Sequence, residues 1–470
     1  MPLLFIAIPL LAVVVLNIYT WNDRRAAMWA GMTAAVFQLT LAGVDVARCV
    51  SSGAALRSEF FGTFSVDLFS AVVLFIIGFI AFITLMVAGS TIKTSRFNFG
   101  SAVLLLMMGM NGVVMVTDVF SLYVFIEVTA TSSFLLIAIN KKRDELEGAF
   151  KYYMMSALAT IMMLMSIVLL FALTGDTSFS AIAAYVAAHQ GAYPVALLAA
   201  FVLYTVALSI KSGVVPFHTW VPDAHSSAPS PVSVMLAGVV IKVSGVYALM
   251  RIFRDVFLSN PALGSVLSIL GLTSIAVGAL GAMGQTDIKR MLAFSSVSQI
   301  GYIILGASTG SALGFLGAVM HFFNHATFKS LLFVDAAAIL HGTGTRDMDQ
   351  MGGLAQKMPV TGVSSVLGLL SMAGIPPLSG FWSKLVIVMA VWQVSPGLAI
   401  AALCLSALTL GYFLLLQKKV FFGKVPQNMQ EAKECGGSMR FVQVLLSAVN
   451  VLAGLLFPIL FVFLQGKGLI

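Results

Sequence analysis

Charge is scarce in this chain: only 9% of its 470 residues are Asp, Glu, Lys or Arg, against 60% hydrophobic. No soluble domain has that balance, and the mean hydropathy of +1.02 agrees. Cysteine is almost absent. Cys49, Cys404 and Cys435 are scattered with no CxxC pair, which excludes a disulfide framework and gives no iron–sulfur or zinc spacing. A Gly-rich dinucleotide fingerprint is missing as well, so no cofactor is expected in this chain. Met1–Thr20 lacks both a basic start and a small-residue cleavage site, and it reads as a retained first span rather than a signal peptide.

What the sequence has is apolar runs long enough to cross a bilayer repeatedly. The fold class is therefore all-α and polytopic. Turn residues and charges punctuate about fourteen spans, at 2–20, 27–47, 66–89, 98–116, 118–139, 148–173, 192–211, 230–250, 262–284, 288–308, 311–340, 360–395, 398–416 and 441–465. Residues 213–229 read as a further short helical or re-entrant piece. The surplus of +8 suits cytoplasmic loops better than nucleic acid. With the N-terminus outside, sixteen basic residues fall in cytoplasmic loops: Arg24, Arg25, Lys93, Arg96, Lys141, Lys142, Arg143, Lys289, Arg290, Arg346, Lys357, Lys418, Lys419, Lys424, Lys433 and Arg440. Five fall outside: Arg48, Arg57, Arg251, Arg254 and Lys467. That asymmetry predicts both termini on the outer side of the plasma (inner) membrane.

The remaining five basic residues, Lys151, Lys211, Lys242, Lys329 and Lys384, lie inside predicted spans, as does Glu127. A charge at the bilayer centre costs about 3 kcal/mol on insertion scales, and such residues are functional by default. Two spans look broken. The seventh reaches Lys211 and meets Gly213 and Pro216; the twelfth carries GIPPLSGFWSK, with Pro376 and Pro377 ahead of Lys384. The breaks lie five spans apart, and an odd-numbered repeat must be inverted across the membrane. Expected domains are helices one to three over 1–97, a first five-helix repeat over 98–250, a second over 262–417, and a last helix over 441–465. In this scheme Asp118 matches Asp287, Lys151 matches Lys329, and Ser295 and Ser296 stand where Glu127 does.

Each ionisable group has a competing plain explanation. Glu127, in TDVFSLYVFIEVTATSSFLLI, is either packed against an interhelical lysine or one half of a switch, in which opening a Glu–Lys pair frees the lysine's proton. Lys242 is too deep for easy snorkelling; it holds and releases a proton, or binds a carbonyl freed near Pro216. His321, His325 and Lys329 repeat at intervals of four and share one helix face, with Asp335 near the azimuth of His321. A lone histidine there is ordinary core, but three titratable groups in register suggest a relay. Lys384 faces the cavity of a double-proline break, as a last proton station or a snorkelling anchor. Lys151 follows Glu147 by one helical turn, so an ordinary ion pair explains it equally well. His218, Asp223 and His225 suggest a polar water entrance, since their flanking prolines give no metal geometry. The Met-rich runs at 107–110 and 154–165 read as bilayer or core filling.

Four stretches, KSGVVPFHTWVPDAHSSAPSPVSVMLAGVVIK, DIKRMLAFSSVSQIGY, HFFNHATFKSLLF and GIPPLSGFWSK, resemble the antiporter-like membrane subunits of respiratory complex I (NADH dehydrogenase-like) and its relatives. Those relatives include energy-converting membrane-bound hydrogenases and multisubunit sodium/proton (Mrp) antiporters. The resemblance implies fourteen transmembrane helices, two inverted five-helix repeats and broken helices seven and twelve. It implies a Glu127–Lys211 pair, Lys242 at the centre of a polar axis, His321, His325 and Lys329 as a connection, and Lys384 near the exit. Lys151 resembles a lysine present in only some members. The implied partners are other membrane subunits, including further antiporter-like ones, and lipid, with protons or sodium as the ion. Redox cofactors would sit in partner subunits. The short segment after the fourteenth span predicts no lateral helix, and TGTRDMDQMGGLAQKMPVTG leans towards the hydrogenase and antiporter branches. Three functions are carried forward: a redox-driven ion-translocating subunit, a sodium/proton antiporter subunit without redox input, and a non-conducting structural subunit. An enzyme in its own right is disfavoured, because no nucleophile–base constellation is present.

Overall fold

The computed structural model describes residues 2–18, 26–53, 55–57, 64–92 and 95–466. Arg24, Arg25, Lys93 and Lys467, four of the basic residues used to orient the chain, lie outside the described residues. Among the described residues, ten helices are long and apolar enough to cross a membrane, with shorter apolar helices at Leu4–Ile18, Phe179–Ala188, Pro359–Ala373 and Ser379–Val394. Two further helices, Ile288–Ala307 and Ala312–Thr343, have the length but carry too many polar residues to qualify by composition. Those polar side chains are buried, Ser295, Ser298, Gln299, His321, His325 and Lys329 among them. In a membrane chain the polar face turns inward, so the helices that matter most look least like spans.

The chain divides into two compact units. The first comprises Met1–Leu85, Ile92–Gly213 and Val239–Ser265; the second comprises Met86–Thr91, Val214–Gly238 and Val266–Ile470. In the first unit, polar side chains bind helices where lipid leaves the backbone and amides no other partner. Gln38 Nε2 donates to Asn111 Oδ1 at 2.8 Å, and Asn111 Nδ2 returns a bond to Gln38 Oε1 at 2.8 Å and reaches Phe5 O at 2.7 Å. At the end of the helix Ser230–Val256, Arg251 forms a forked pair with Asp67 and also meets Asp255 at 3.0 Å. Its guanidinium lies over the rings of Phe69 and Tyr247, 5.1 and 5.2 Å from their centroids.

Burial by itself raises the Asp67 carboxyl, but the Arg251 guanidinium and the Ser70 N–H override it and hold the group well below the usual carboxylate range. A depressed carboxylate stabilises the fold above its unfolded pKa, and that contribution is lost only as pH falls through the folded value. Asp67→Asn is therefore expected to cost about 2 kcal/mol. Thermal unfolding in detergent should show a gap between wild type and variant that stays constant from about pH 7 down to about pH 5. A gap that closes within that range would show that Arg251 does not hold the carboxylate.

Local devices recur along the chain at a constant interval. Asp118 caps the helix Val119–Ile137 through Ser121 N at 2.7 Å, and Asp287 caps Ile288–Ala307 through Arg290 N at 3.0 Å. Each also forms an isolated antiparallel bridge, to Ser178 and to Asp347. The helices Arg143–Thr174 and Ala312–Thr343 are both 32 residues long and end in left-handed glycines, Gly175 and Gly344. The step from 118 to 287 equals that from 175 to 344, and the same step carries Glu127 to Ser296. Lys329, however, corresponds to Thr160 and not to Lys151. The expected lysine match was set by loosely placed span ends, whereas the caps fix the register.

Candidate functional site

In the first unit the helix Val195–Ser212 stops at Gly213, whose φ of 64° is the left-handed conformation that glycine tolerates best. Lys211 is thereby held at a helix end inside the fold, 1% exposed. Its Nζ donates to Glu127 Oε1 at 2.8 Å and to Ser156 Oγ at 2.5 Å. Thr160 Oγ1 donates to the same glutamate oxygen at 2.7 Å. The expected pair thus exists, and it is a four-residue cluster on three helices. Ser156 and Thr160 belong to the Met-rich run that reads as filling by composition. In the sequence they are a Ser and a Thr one helical turn apart, which carries no signal by itself.

Lys242, in the same unit, is buried (1% exposed) within a helix that winds into wider π turns at Leu236–Val240, Lys242–Tyr247 and Ile252–Val256. Such turns concentrate at functional positions. Three residues on, Gly245 lets this helix touch the broken one: a Cβ there would stand 2.4 Å from Ser212 N, the residue next to Lys211. Any side chain at 245 would push the two lysine-bearing helices apart.

Lys151 lies elsewhere. It pairs with Glu147 at 2.8 Å and is 46% exposed, the arrangement of an ordinary surface ion pair one turn apart. Its helix also exposes Phe150, Met154, Leu158 and Ile161, so this face looks outward.

In the second unit the helix Pro359–Ala373 ends at Gly374, with φ 84°, and the chain resumes as a helix at Ser379. Lys384 turns back to the freed carbonyls, donating to Met372 O at 2.8 Å, and its Nζ stands 4.7 Å from the centroid of the Tyr302 ring. The His321 Nδ1 is 2.9 Å from Ser383 Oγ, the neighbour of Lys384. The rings of His321 and His325 lie nearly parallel with centroids 6.3 Å apart, and both residues are wholly buried. One turn further, Lys329 Nζ donates to Leu292 O at 2.8 Å and to Ser295 Oγ. Asp335 turns away from this line: its Oδ1 accepts from Ser364 Oγ at 2.6 Å and from Gln443 Nε2 at 2.8 Å.

The polar connection after the first break has both buried and half-buried members. His225 is fully buried and stacked on Phe333, with ring centroids 4.9 Å apart. Asp223 pairs with Arg290 at 2.6 Å, and His218 lies edge-on to Phe294. Lys289, counted among loop residues, sits in the first turn of its helix, 2% exposed, and donates to Ala228 O at 2.8 Å. A loop assignment missed it because helix starts are polar anyway. Among the described residues, no group of three or more His, Cys, Asp and Glu side chains is placed to hold a metal ion.

Comparison with known proteins gives the same picture. Residues 116–409 match the family described as NADH:quinone oxidoreductase/Mrp antiporter, TM. The chain is 29% identical over 393 residues to a Na(+)/H(+) antiporter subunit of Alkalihalophilus pseudofirmus, covering 83% of this chain and 79% of that one. It is 32% identical over 392 residues to a NADH-quinone oxidoreductase subunit of Sphingopyxis alaskensis, covering 82% and 81%. A chain in the structure of the Mrp complex from Dietzia sp. superposes with a TM-score of 0.90 at 26% identity, over 99% of this chain and 96% of that one. That relative is part of a multisubunit membrane complex, and other membrane subunits are the partners such a chain has. A half-buried Glu127 on a buried Lys211 at one broken helix, a lysine on the free carbonyls of another and the match over most of the sequence lead to one statement: the chain belongs to the NADH:quinone oxidoreductase/Mrp antiporter family, as an antiporter-like, ion-translocating membrane subunit.

Proposed function

We propose that the translocated ion is the proton, carried by Glu127, Lys211, Lys242, His325, His321, Lys329 and Lys384, and that a redox reaction elsewhere in the assembly drives it. The single observation behind this reading is the Glu127–Lys211 contact of 2.8 Å at a helix end. At an effective dielectric of about 20, such a pair interacts by roughly 6 kcal/mol. That is comparable with the several kcal/mol needed to desolvate each ion, so the pair is poised rather than locked. A field change that separates the two charges leaves an ammonium in apolar surroundings, which favours handing its proton to Lys242. Lys329 and the histidines then act as stations towards Lys384, which donates to the carbonyl freed at the break. Lys151 and Asp335 are left outside this path.

A second reading, sodium/proton antiport without redox input, is favoured by the likeness to the Na(+)/H(+) antiporter subunit of Alkalihalophilus pseudofirmus over 83% of the chain. In both readings the chain sits in the plasma membrane with both termini outside. Inverted membrane vesicles carrying the assembled complex test the choice. Internal acidification on adding an electron donor, insensitive to a sodium gradient, is the expected result. Proton movement that follows only the sodium gradient would establish the antiport reading. No proton movement under either drive would remove both.

A further inference from the structure

In the first unit one hydrogen has two places to go. Thr160 Oγ1 stands 2.7 Å from Glu127 Oε1 and 2.9 Å from Ser156 O, the carbonyl one helical turn back. A threonine hydroxyl carries a single hydrogen, so it serves one of these acceptors at a time. Thr129, Ser133 and Ser244 show the ordinary choice in a membrane helix: each donates to the carbonyl four residues back, at 2.7–2.8 Å. Thr160 has that bond within reach and a carboxylate closer still. The other hydroxyl, Ser156 Oγ, accepts from Lys211 Nζ at 2.5 Å. The two hydroxyls divide the pair between them, one on each charge.

The second unit repeats the arrangement with the titratable group on the other helix. The step that carries Asp118 to Asp287 carries Thr160 to Lys329 and Ser156 to His325. Lys329 Nζ donates to Leu292 O at 2.8 Å and to Ser295 Oγ, both on the helix Ile288–Ala307. Thr160 donates to Glu127 on Val119–Ile137, the matching helix. In both units this position of a 32-residue helix donates to the helix before it, and a titratable group meets a hydroxyl. A threonine that only fills space has no reason to keep that geometry. It cannot carry charge as a lysine does, so what it contributes is direction: a donor aimed at the carboxylate.

We propose that Thr160 is a positioning residue for ion translocation: its hydroxyl hydrogen switches between Glu127 and Ser156 O, and so sets how readily the Glu127–Lys211 pair opens. This rests on the reading of that pair as the switch. With the pair closed, the hydroxyl donates to Glu127 Oε1 beside Lys211 Nζ, and the oxygen is held from two helices. When Glu127 moves off, the hydroxyl turns about its C–O bond to Ser156 O, and no donor is stranded in apolar surroundings. Opening therefore costs the difference between two hydrogen bonds rather than a whole one. Ser156 Oγ stays with Lys211 throughout, which keeps that side chain in place while its counter-charge is away. No covalent bond is made or broken in the step; one hydroxyl rotates. Without that hydroxyl the closed pair loses a donor that the open one does not need, so the pair stands open more often and coupling falls.

The test uses vesicles carrying the assembled complex with Thr160→Val, which keeps the shape and removes the hydroxyl, and Thr160→Ser, which keeps the hydroxyl and removes a methyl. Coupled proton movement should fall about tenfold in Thr160→Val, the scale of one hydrogen bond to a charged group, and recover in Thr160→Ser. Infrared difference spectra supply a reading that packing alone would not move. The carboxylate band lost in Glu127→Gln should shift in Thr160→Val and return in Thr160→Ser. Thr160→Ala, read in the same way, replaces Thr160→Val if the valine lowers the yield of complex. A wild-type rate without the hydroxyl overturns the proposal. So does a slow variant whose carboxylate band is unmoved, or a Thr160→Ser complex as slow as Thr160→Val, since each marks a merely structural role. Glu127→Gln separates the two levels of inference. If it is inactive while Thr160→Val is normal, only the role of Thr160 is wrong; if it transports normally, the switch itself is removed.

Discussion

Lys242→Ala is expected to reduce coupled proton movement on the order of a hundredfold or more, the scale of losing a positioned proton carrier, while the complex still assembles. The lysine is 1% exposed in a helix buried throughout its span, so no neighbouring solvent can replace the proton it carries. Assembly survives for an energetic reason. Removing an ammonium from apolar surroundings relieves a desolvation cost of several kcal/mol, which offsets the packing lost with the side chain. Lys242→Met sharpens the measurement because it keeps the volume and loses only the charge. Both variants should appear in the purified complex at wild-type yield and fail to acidify vesicles. Transport near the wild-type rate in either one would exclude Lys242 from the path.

Glu127→Gln should uncouple nearly as strongly. Glutamine preserves the shape and still accepts from Thr160 and Lys211, but the Coulomb attraction is gone. Leaving the buried Lys211 without its counter-charge costs on the order of 3–5 kcal/mol, and no pair remains for the driving reaction to open and close. Glu127→Asp keeps the charge on a side chain one methylene shorter, which cannot hold both the 2.7 Å contact to Thr160 and the 2.8 Å contact to Lys211 without a shift. Partial transport is the expected outcome. Lys151→Ala is the control: an exposed i,i+4 pair contributes only about 0.3–0.5 kcal/mol, and transport should be unchanged. Equal losses in Glu127→Gln and Lys151→Ala would show that the assay reads general damage.

The broken spans and the buried lysines were legible from the residues alone. Gly213 with Pro216, and Gly374 with Pro376 and Pro377, stop a helix wherever they occur, because backbone conformation and the missing N–H are local properties. A lysine or glutamate inside an apolar run is equally plain, since its cost in lipid does not depend on fold details. The Glu127–Lys211 pairing followed from a resemblance and not from spacing, and the structure brings the two together at 2.8 Å.

The partners of those charges were not legible. Ser156, Thr160, Ser295 and Ser383 are hydroxyl residues, which cost little anywhere in a membrane helix because they can bond their own backbone. They carry no sequence signal until another helix presents a charge to them. Lys289 looked like loop, and Lys151 stayed open between an ordinary ion pair and a functional group, for the same reason: helix ends and azimuths decide exposure, and composition does not record them. The sequence by itself determined that the chain is a helical membrane protein with two interrupted spans and charges it cannot place in lipid. Only the tertiary structure decided which hydroxyls and carbonyls meet those charges, because contacts between helices depend on packing angle and register, to which residues far apart in the chain contribute jointly.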